Sequence, residues 1–321
     1  MTNRRIIGAA KLGLLLVAFL WGTSMTVVGS ATASFPSAFI LGFRFTVAAV
    51  LLAIIFHKRL LAVKADTWRS GIIIGLFLFG AYFLQTLAVN FTTPGRSSIL
   101  AAIYCVIVPF LMWAITRVRP DKFNLVAAVI CVVGVILVGQ AGSAITTANN
   151  IPAGIMLIGD TIAVASSFLY AAHIVAISKL STDRDPIALT IIQFSVAGIL
   201  SWIVTLCFED HSKLVFSTSS LGQLIYLAVF CTTIALLLQN VGQKYCPASQ
   251  AAIILGSESV FGVVFPVMLR IESLNLTAAI GCIAIIVAIF ISETKLKWFF
   301  KDKTELPVEK SVDKSDLPVD K

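Results

Sequence analysis

Charged residues are scarce in this sequence. Only 12% of the 321 residues are Asp, Glu, Lys or Arg, whereas a soluble domain carries about 25%. At the same time 58% of the residues are hydrophobic and the mean hydropathy is +0.97. So few polar side chains cannot cover the surface of a water-soluble protein of this size. The composition therefore excludes an ordinary soluble domain and indicates a protein that is surrounded mainly by lipid.

Motifs that mark several other classes of protein are missing as well. The sequence has no Gly-x-x-x-x-Gly-Lys-Ser/Thr nucleotide loop, no His-Glu-x-x-His metal motif and no ladder of regularly spaced arginines. Its six cysteines form no Cys-x-x-Cys pair, and we interpret them as small packing residues. We therefore expect no built-in ATPase, no voltage sensor, no metal and no cofactor.

Ten apolar segments are long enough to cross a bilayer as helices. They lie near residues 11–31, 37–56, 70–90, 97–116, 122–140, 158–179, 186–207, 221–242, 248–269 and 275–292. The breaks between them contain turn formers and charges, such as Pro94–Gly95 and Asp183–Pro186. We predict an all-α membrane protein with about ten transmembrane helices, and we expect the first helix to be retained and not cleaved as a signal peptide.

The distribution of Lys and Arg predicts the orientation in the membrane. If the N-terminus is cytoplasmic, the outer loops hold only Arg96, Lys213 and Arg270, whereas the inner loops carry clusters such as Lys58–Arg59 and Arg117–Arg119. This asymmetry predicts a multi-pass protein of the cell (plasma) membrane with both termini in the cytoplasm. The formal net charge of +8 is then explained by topology, and no nucleic acid is expected as a partner.

The chain carries a weak internal repeat. A shift of 149 residues places Phe19–Ser24 on Phe168–His173, and further matches follow in chain order at a shift of 154. Such symmetry is typical of duplicated transporter folds. We predict a first five-helix repeat over residues 1–140 and a second over residues 141–294, which must be inverted because five is odd. Residues 295–321, rich in Lys, Asp and Glu, are predicted to form a disordered, charged cytoplasmic tail.

Short motifs in both halves resemble the EamA-like branch of the drug/metabolite transporter superfamily, over roughly residues 10–295 of this chain. They are Trp21-Gly22-Thr23-Ser24, Arg44-Phe45 and the stretch from Thr93 through Tyr104 to Pro109 in the first half, and Gly159-Asp160, Ala172–Val175, Leu238-Gln239, Gln250–Leu255 and Glu258 in the second. The resemblance implies a ten-helix, inverted-repeat transporter of small organic solutes, often an exporter. One departure is Glu258-Ser259, where the family commonly has Glu-Pro, so the resemblance does not define the backbone kink there.

A few polar residues fall inside the predicted helices, where a charge costs roughly 2.5–3.5 kcal/mol on insertion scales. We interpret Arg44 as a structural buried charge that bonds carbonyls or a carboxylate across helices. Glu258, near the midplane, is the best candidate for coupling to a proton or to a cationic substrate group; a permanently protonated carboxyl bonded to a neighbouring helix is the alternative. His173 suits either a proton relay or a packing role. Asp160 is interpreted as a first-turn or capping acid.

Polar and aromatic residues at similar depths complete a predicted substrate cavity, since ligand sites combine apolar walls with a few placed polar groups. Its predicted members are Trp21, Ser24, Tyr82, Gln85, Tyr104, Tyr170, His173, Gln193, Gln239 and Glu258. Small residues such as Gly134 and Gly139 in the fifth helix indicate close helix packing and suggest a homodimer.

These features together favour a secondary transporter of small organic solutes (metabolites, amino acids or drugs) that exports them by alternating access. The expected partners are the solute, the lipid bilayer and protons, and we do not expect an enzyme. Two alternatives stay open at this point. One is a membrane-embedded enzyme that acts on a lipid-like substrate, and the other is a non-transporting membrane receptor or assembly subunit.

Overall fold

The computed structural model describes residues 2–61, 63–140, 151–270 and 275–294. Across these residues the chain forms helices joined by short turns and contains no β-strand. The predicted all-α class is therefore confirmed for the part of the chain that the structure describes. The predicted tail, residues 295–321, and most of the join between the halves lie outside the described residues.

Eight helical spans in the described ranges are long and apolar enough to cross a membrane. They are Arg5–Ala31, Ser37–Ile55, Ala65–Ala88, Pro94–Thr116, Gly154–Leu180, Pro186–Phe208, Thr218–Gln243 and Ala248–Met268. Each of them buries about half of its most apolar stretch inside the protein and turns the other half outward. Exposed residues such as Leu12, Ile54 and Phe208 are therefore placed to contact lipid. The chain is a multi-pass membrane protein.

The structure divides the chain into fourteen α-helices over the described residues. In chain order they are α1 (Thr2–Ala31), α2 (Ser37–Ile55), α3 (His57–Leu61), α4 (Ala65–Ala88), α5 (Pro94–Ala101), α6 (Tyr104–Thr116), α7 (Lys122–Gln140), α8 (Ala153–Leu180), α9 (Pro186–Phe208), α10 (Thr218–Ala228), α11 (Ala235–Gln243), α12 (Ala248–Gly256), α13 (Glu258–Met268) and α14 (Leu276–Thr294). A π-helix, Val229–Ile234, joins α10 to α11, and a 3₁₀ turn covers His211–Lys213. The spans α5–α6 and α12–α13 each bend at a short break.

Prolines at the first helical position begin two of the spans, because proline lacks only an N–H that would be unpaired there. Pro94 begins α5 behind the N-cap Thr93, and Pro186 begins α9 behind the N-cap Asp185. The sequence reading of Arg96 as an outer-loop residue was wrong. Arg96 is the third residue of α5 and only 4% exposed, since Pro94 starts a helix where the sequence indicated a turn.

Helices from the two halves pack against one another throughout the described region. The closest partners include α2 with α9, α4 with α8, α1 with α13, and α7 with α14. Two glycines allow the backbones to touch. A Cβ atom on Gly22 would lie 2.2 Å from the Cβ atom of Phe261, and a Cβ atom on Gly134 would lie 2.8 Å from the carbonyl oxygen of Gly281. Gly134 therefore serves the contact between α7 and α14 within one chain, and the homodimer stays a prediction.

Candidate functional site

The π-helix between α10 and α11 is the first element of the candidate site. The hydroxyl of Thr232 donates a 2.8 Å hydrogen bond to the carbonyl of Leu227, five residues back. The widened turn also presents the carbonyl oxygen of Cys231, which accepts a 3.1 Å hydrogen bond from the indole Nε1 of Trp21 on α1. Single π-turns occur frequently at functional sites, because they redirect backbone groups that a regular helix would pair.

Arg44, on α2, lies against this π-helix and is 1% exposed. Its Nε atom donates a 2.8 Å hydrogen bond to the hydroxyl of Thr232, and its guanidinium carbon lies 5.3 Å from the centre of the Tyr82 ring, in cation–π geometry. Its Nη2 atom is buried and has no hydrogen-bond partner among the residues that the structure describes. Neither ion pair found among the described residues includes Arg44. The guanidinium is thus held in place but not neutralised.

Glu258 is the first residue of α13 and is 5% exposed. The helix breaks just before it, where Ser257 N–H bonds the carbonyl of Ile254 at 3.2 Å in place of a regular helical partner. The break therefore forms without the proline of the family pattern. The hydroxyl of Tyr104 faces the Glu258 carboxyl without reaching hydrogen-bond geometry. No ion pair of Glu258 occurs within the described parts of the chain.

Arg44 and Glu258 line the same cavity, which we call the central cavity. Its walls come from both halves and comprise Trp21, Ser24, Met25, Val28, Arg44, Tyr82, Gln85, Thr86, Tyr170 and Glu258. The space open to the centre of a water molecule is about 10 Å³, which is roughly the room that one water needs. Pockets for small organic ligands measure about 300–1,000 Å³. The central cavity is therefore closed around its polar groups in this conformation.

Aromatic rings form one wall of the central cavity. The ring of Tyr82 lies 6.4 Å from that of Trp21 and 5.5 Å from that of Tyr170, and Tyr170 in turn lies 5.8 Å from Tyr104. The Tyr170 hydroxyl donates a 2.6 Å hydrogen bond to Oε1 of Gln85. These rings offer apolar surface and electron-rich faces beside two charged groups, which is a suitable lining for a small organic ion.

A second and larger cavity, which we call the vestibule, opens where α1, α4 and α9 end and α2 begins. It measures about 550 Å³ by the same criterion and is lined by Thr32, Ala33, Phe35, Pro36, Ser37, Leu87, Asn90, Glu209, Asp210 and Val215. Val28 of α1 lines the central cavity, and Thr32, the residue that follows the end of α1, lines the vestibule. A helical turn rises about 5.4 Å, so the layer between the two cavities is about one turn thick.

His173 and Gln193 form a separate buried polar cluster toward the opposite face, where α8 ends and α9 begins. Nε2 of His173 and Oε1 of Gln193 are 3.0 Å apart. Nearby, Nε2 of Gln243 donates a 3.2 Å hydrogen bond to the carbonyl of Ile174. Nδ1 of His173 and Nε2 of Gln193 are buried without a hydrogen-bond partner among the described residues. We call these residues the inner polar cluster.

A buried ion pair ties α5 in the first half to α8 in the second. The guanidinium of Arg96 donates to both carboxylate oxygens of Asp160, with Nε 3.2 Å from Oδ1, and the hydroxyl of Thr92 donates to Oδ1 at 2.8 Å. Asp160 is the eighth residue of α8. It therefore sits in the interior of the helix and acts as a partner for Arg96, in place of the predicted capping role.

The structure brings together six of the ten residues that the sequence predicted for the cavity. Trp21, Ser24, Tyr82, Gln85, Tyr170 and Glu258 line the central cavity, and Arg44 joins them. Tyr104 faces Glu258 from behind the lining, whereas His173 and Gln193 belong to the inner polar cluster. Gln239 is buried and does not line the central cavity. Sequence reasoning missed Met25, Val28 and Thr86, whose side chains carry no distinctive signal, and it missed Thr232.

Comparisons with known proteins place this architecture among membrane transporters. A family model described as "EamA-like transporter family" matches the chain twice, over residues 9–140 and 157–294. The two matches confirm that the chain contains two copies of one repeat.

Similar individual proteins carry equally general names. An "Uncharacterized transporter" of Archaeoglobus fulgidus is 29% identical over 283 residues, which cover 88% of this chain and 85% of the relative. The "Uncharacterized transporter YvbV" of Bacillus subtilis is 24% identical over 288 residues, covering 88% and 92%. A solved crystal structure matches 92% of this chain and 99% of its own with a TM-score of 0.69 at 17% identity, which shows a shared fold.

Proposed function

The chain belongs to the EamA-like transporter family, and from that premise we propose that it is a secondary transporter of small organic solutes such as metabolites, amino acids or drugs. The observation that carries the proposal is the central cavity. Side chains from α1, α2 and α4 of the first half and from α8 and α13 of the second converge there. The interface between repeats is where duplicated transporters bind their substrates.

We propose ten transmembrane helices, arranged as two inverted repeats of five. The eight long spans are completed by α7 and α14, which have 19 residues each. Packing between the halves supports a two-fold relation. The third span of the first half, α4, packs on the first span of the second half, α8. The reciprocal contact is also present: α11, in the third span of the second half, packs on α1, the first span of the first half. With an odd number of helices in each repeat, such halves have opposite orientations in the membrane.

The closed state of the central cavity supports alternating access as the proposed mechanism. A solute much larger than water needs the helices to separate, first on one face and then on the other. The thin layer beneath the vestibule and the inner polar cluster on the opposite side are the two barriers that we propose open in turn. Because the sequence has no nucleotide loop, the driving energy is assigned to a gradient of the solute or of an ion.

Glu258 is the proposed coupling residue. Its side chain is only 5% exposed and has no ionic partner among the described residues. Such a group gains or loses a proton according to the conformation and the occupant of the cavity. The proton is therefore the proposed coupling ion. Protonation and deprotonation of the Glu258 carboxyl would link proton movement to substrate movement.

The orientation in the membrane is proposed from the basic residues. With Arg96 paired inside the protein, the basic residues of the vestibule face reduce to Lys213 and Arg270, against clusters such as Lys58–Arg59 on the opposite face. The positive-inside rule then puts both termini in the cytoplasm and the vestibule outside the cell membrane. Export as the direction of transport rests on the family resemblance.

Flux measurements on the purified protein test the proposal. The protein is reconstituted into sealed vesicles, and a pooled set of metabolites is followed by mass spectrometry, with and without an imposed pH gradient. We expect protein-dependent flux of at least one solute, and we expect the gradient to change its rate. Protein-free vesicles are the control. Folded protein that moves no solute from a broad set would contradict the proposal and favour a receptor or an enzyme.

A further inference from the structure

The central cavity contains a guanidinium and a carboxyl group, and neither forms an ion pair among the residues that the structure describes. Arg44 and Glu258 are 1% and 5% exposed, and both line the cavity. A buried charge without a counter-charge is costly, because burial removes its water and nothing replaces it. Proteins normally avoid such a cost by forming a pair of the Arg96–Asp160 kind, whereas Arg44 and Glu258 line one cavity without forming one among the described residues.

The geometry of Arg44 suits an anionic ligand. Thr232 holds its Nε atom and Tyr82 covers one face of the guanidinium, which fixes the direction of the group. Nη2 is buried without a hydrogen-bond partner in the described parts of the chain. A planar guanidinium with free N–H groups matches a carboxylate, because the two can form paired, parallel hydrogen bonds.

Glu258 offers the complementary feature for a cation. Its carboxyl shares the cavity with the rings of Trp21, Tyr82 and Tyr170. An ammonium group is stabilised both by a carboxylate and by the faces of aromatic rings. A solute that carries only an anion would use Arg44 alone, and a solute that carries only a cation would use Glu258 alone.

We propose that the central cavity is a site for a small zwitterion, whose carboxylate binds Arg44 and whose ammonium group binds Glu258 between the aromatic rings. This inference rests on the proposed function and names the chemical class of its substrate. One molecule then satisfies both charges and adds no net charge to the membrane interior. Arg44 becomes a specificity-determining residue for the carboxylate, in addition to its contacts across helices.

A matched series of ligands tests this assignment by binding alone. The probes are leucine, phenylalanine and serine, each in four forms: the zwitterion, the amine that lacks the carboxylate, the carboxylate that lacks the amine, and the uncharged N-acetyl amide. Binding to the purified full-length protein in detergent is measured by isothermal titration and by the change in thermal stability. Among the zwitterions at least one should bind, at least about tenfold more tightly than each of its three analogues.

Variants then assign each charge to a residue. With Arg44→Gln, the affinities for the zwitterion and for the amine should differ by no more than about threefold. With Glu258→Gln, the affinities for the zwitterion and for the carboxylate should differ by no more than about threefold. Arg59→Gln is the matched control, because Arg59 pairs with Asp185 at an exposed position outside the cavity. If Arg44→Gln does not fold, Arg44→Lys and the ligand series on the unaltered protein still decide the question.

Two results would overturn the inference: binding of the amine or the carboxylate as tight as that of the zwitterion, or no binding by any of the three zwitterions. These results are distinct from a failure of the proposed function. If a zwitterion binds but is not transported in vesicles, the inferred site is supported and the proposed transport function is contradicted. If uncharged solutes are transported without any preference for zwitterions, the proposed transport function is supported and the inferred zwitterion site is contradicted.

Discussion

The Nε atom of Arg44 donates a 2.8 Å hydrogen bond to the hydroxyl of Thr232, 188 residues further along the chain. The same hydroxyl donates its own proton to the carbonyl of Leu227 within the π-turn. This bond orients the hydroxyl oxygen so that it can accept the hydrogen bond from Arg44. A buried arginine of the first half is thereby oriented by an irregular turn of the second half. The bond joins the two repeats at the wall of the central cavity.

Thr232→Val tests whether this bond positions Arg44. Valine keeps the shape of threonine but cannot accept the hydrogen bond, so the guanidinium loses its fixed direction. We expect the preference of the protein for a zwitterion over the matching amine to fall about tenfold, with Thr232→Ser close to the unaltered protein. Thr233→Val is the control, since the hydroxyl of Thr233 bonds only the carbonyl of Ala228. Equal effects of Thr232→Val and Thr233→Val would indicate a purely structural role.

Glu258→Gln tests proton coupling. Glutamine keeps the size and polarity of the side chain but cannot take up or release a proton. We expect normal amounts of folded protein in the membrane, together with flux that is lost or no longer responds to a pH gradient. Glu209→Gln, in the vestibule, should keep the response, since Glu209 accepts hydrogen bonds from the backbone of Ala38 and Phe39 outside the central cavity. Full flux of Glu258→Gln with an unchanged pH response would exclude the coupling role.

The Arg96–Asp160 pair is predicted to contribute to stability and not to selectivity. Asp160→Asn leaves a buried guanidinium without its counter-charge, and breaking a buried pair in this way costs about 3–5 kcal/mol. We expect a clear fall in the melting temperature in detergent, measured by intrinsic fluorescence. The double variant Arg96→Met/Asp160→Leu should regain most of that loss. By contrast, Arg59→Gln breaks an exposed pair, whose contribution is at most about 1 kcal/mol. An unchanged melting temperature for Asp160→Asn would show that the pair is dispensable.

Gly22→Ala tests the close approach of α1 and α13. The added Cβ atom would lie 2.2 Å from the Cβ atom of Phe261, so the two helices must move apart at the level of the cavity. We expect a lower yield of folded protein and loss of flux from the fraction that folds. Gly222→Ala is a control with the same chemistry, because a Cβ atom there meets nothing within 4 Å and alanine favours the helix by about 1 kcal/mol. Gly22→Ala with normal yield and flux would show that this contact tolerates separation.

Helix positions could largely be predicted from the sequence, because apolar length is a direct consequence of bilayer thickness. The predicted spans 37–56 and 186–207 agree closely with Ser37–Ile55 and Pro186–Phe208. The start of α5 was less predictable, because Pro94–Gly95 fits a turn and the first turn of a helix equally well. That ambiguity is the reason why Arg96 was assigned to a loop.

The site was predicted only in part, for physical reasons that differ between residues. Aromatic and charged residues inside apolar helices stand out in a sequence, so Trp21, Tyr82 and Glu258 were found. A π-turn leaves no such signal, because its register depends on tertiary contacts, and Thr232 was therefore missed. Whether His173 faces the central cavity depends on how α8 is rotated about its own axis. Apolar periodicity does not define that rotation when a helix is hydrophobic on most sides.

The position of the central cavity along its helices has a consequence for the speed of a transport cycle. Val28 lies three residues before the end of α1, whereas Tyr170 lies ten residues before the end of α8. Opening toward the vestibule separates about one turn of side chains, whereas opening toward the other face separates nearly three turns and must also pull apart the inner polar cluster. The second movement breaks more contacts, so its activation barrier is expected to be higher. We expect the protein to exchange solute quickly with the vestibule side and to set its turnover number by the slower opening on the other side.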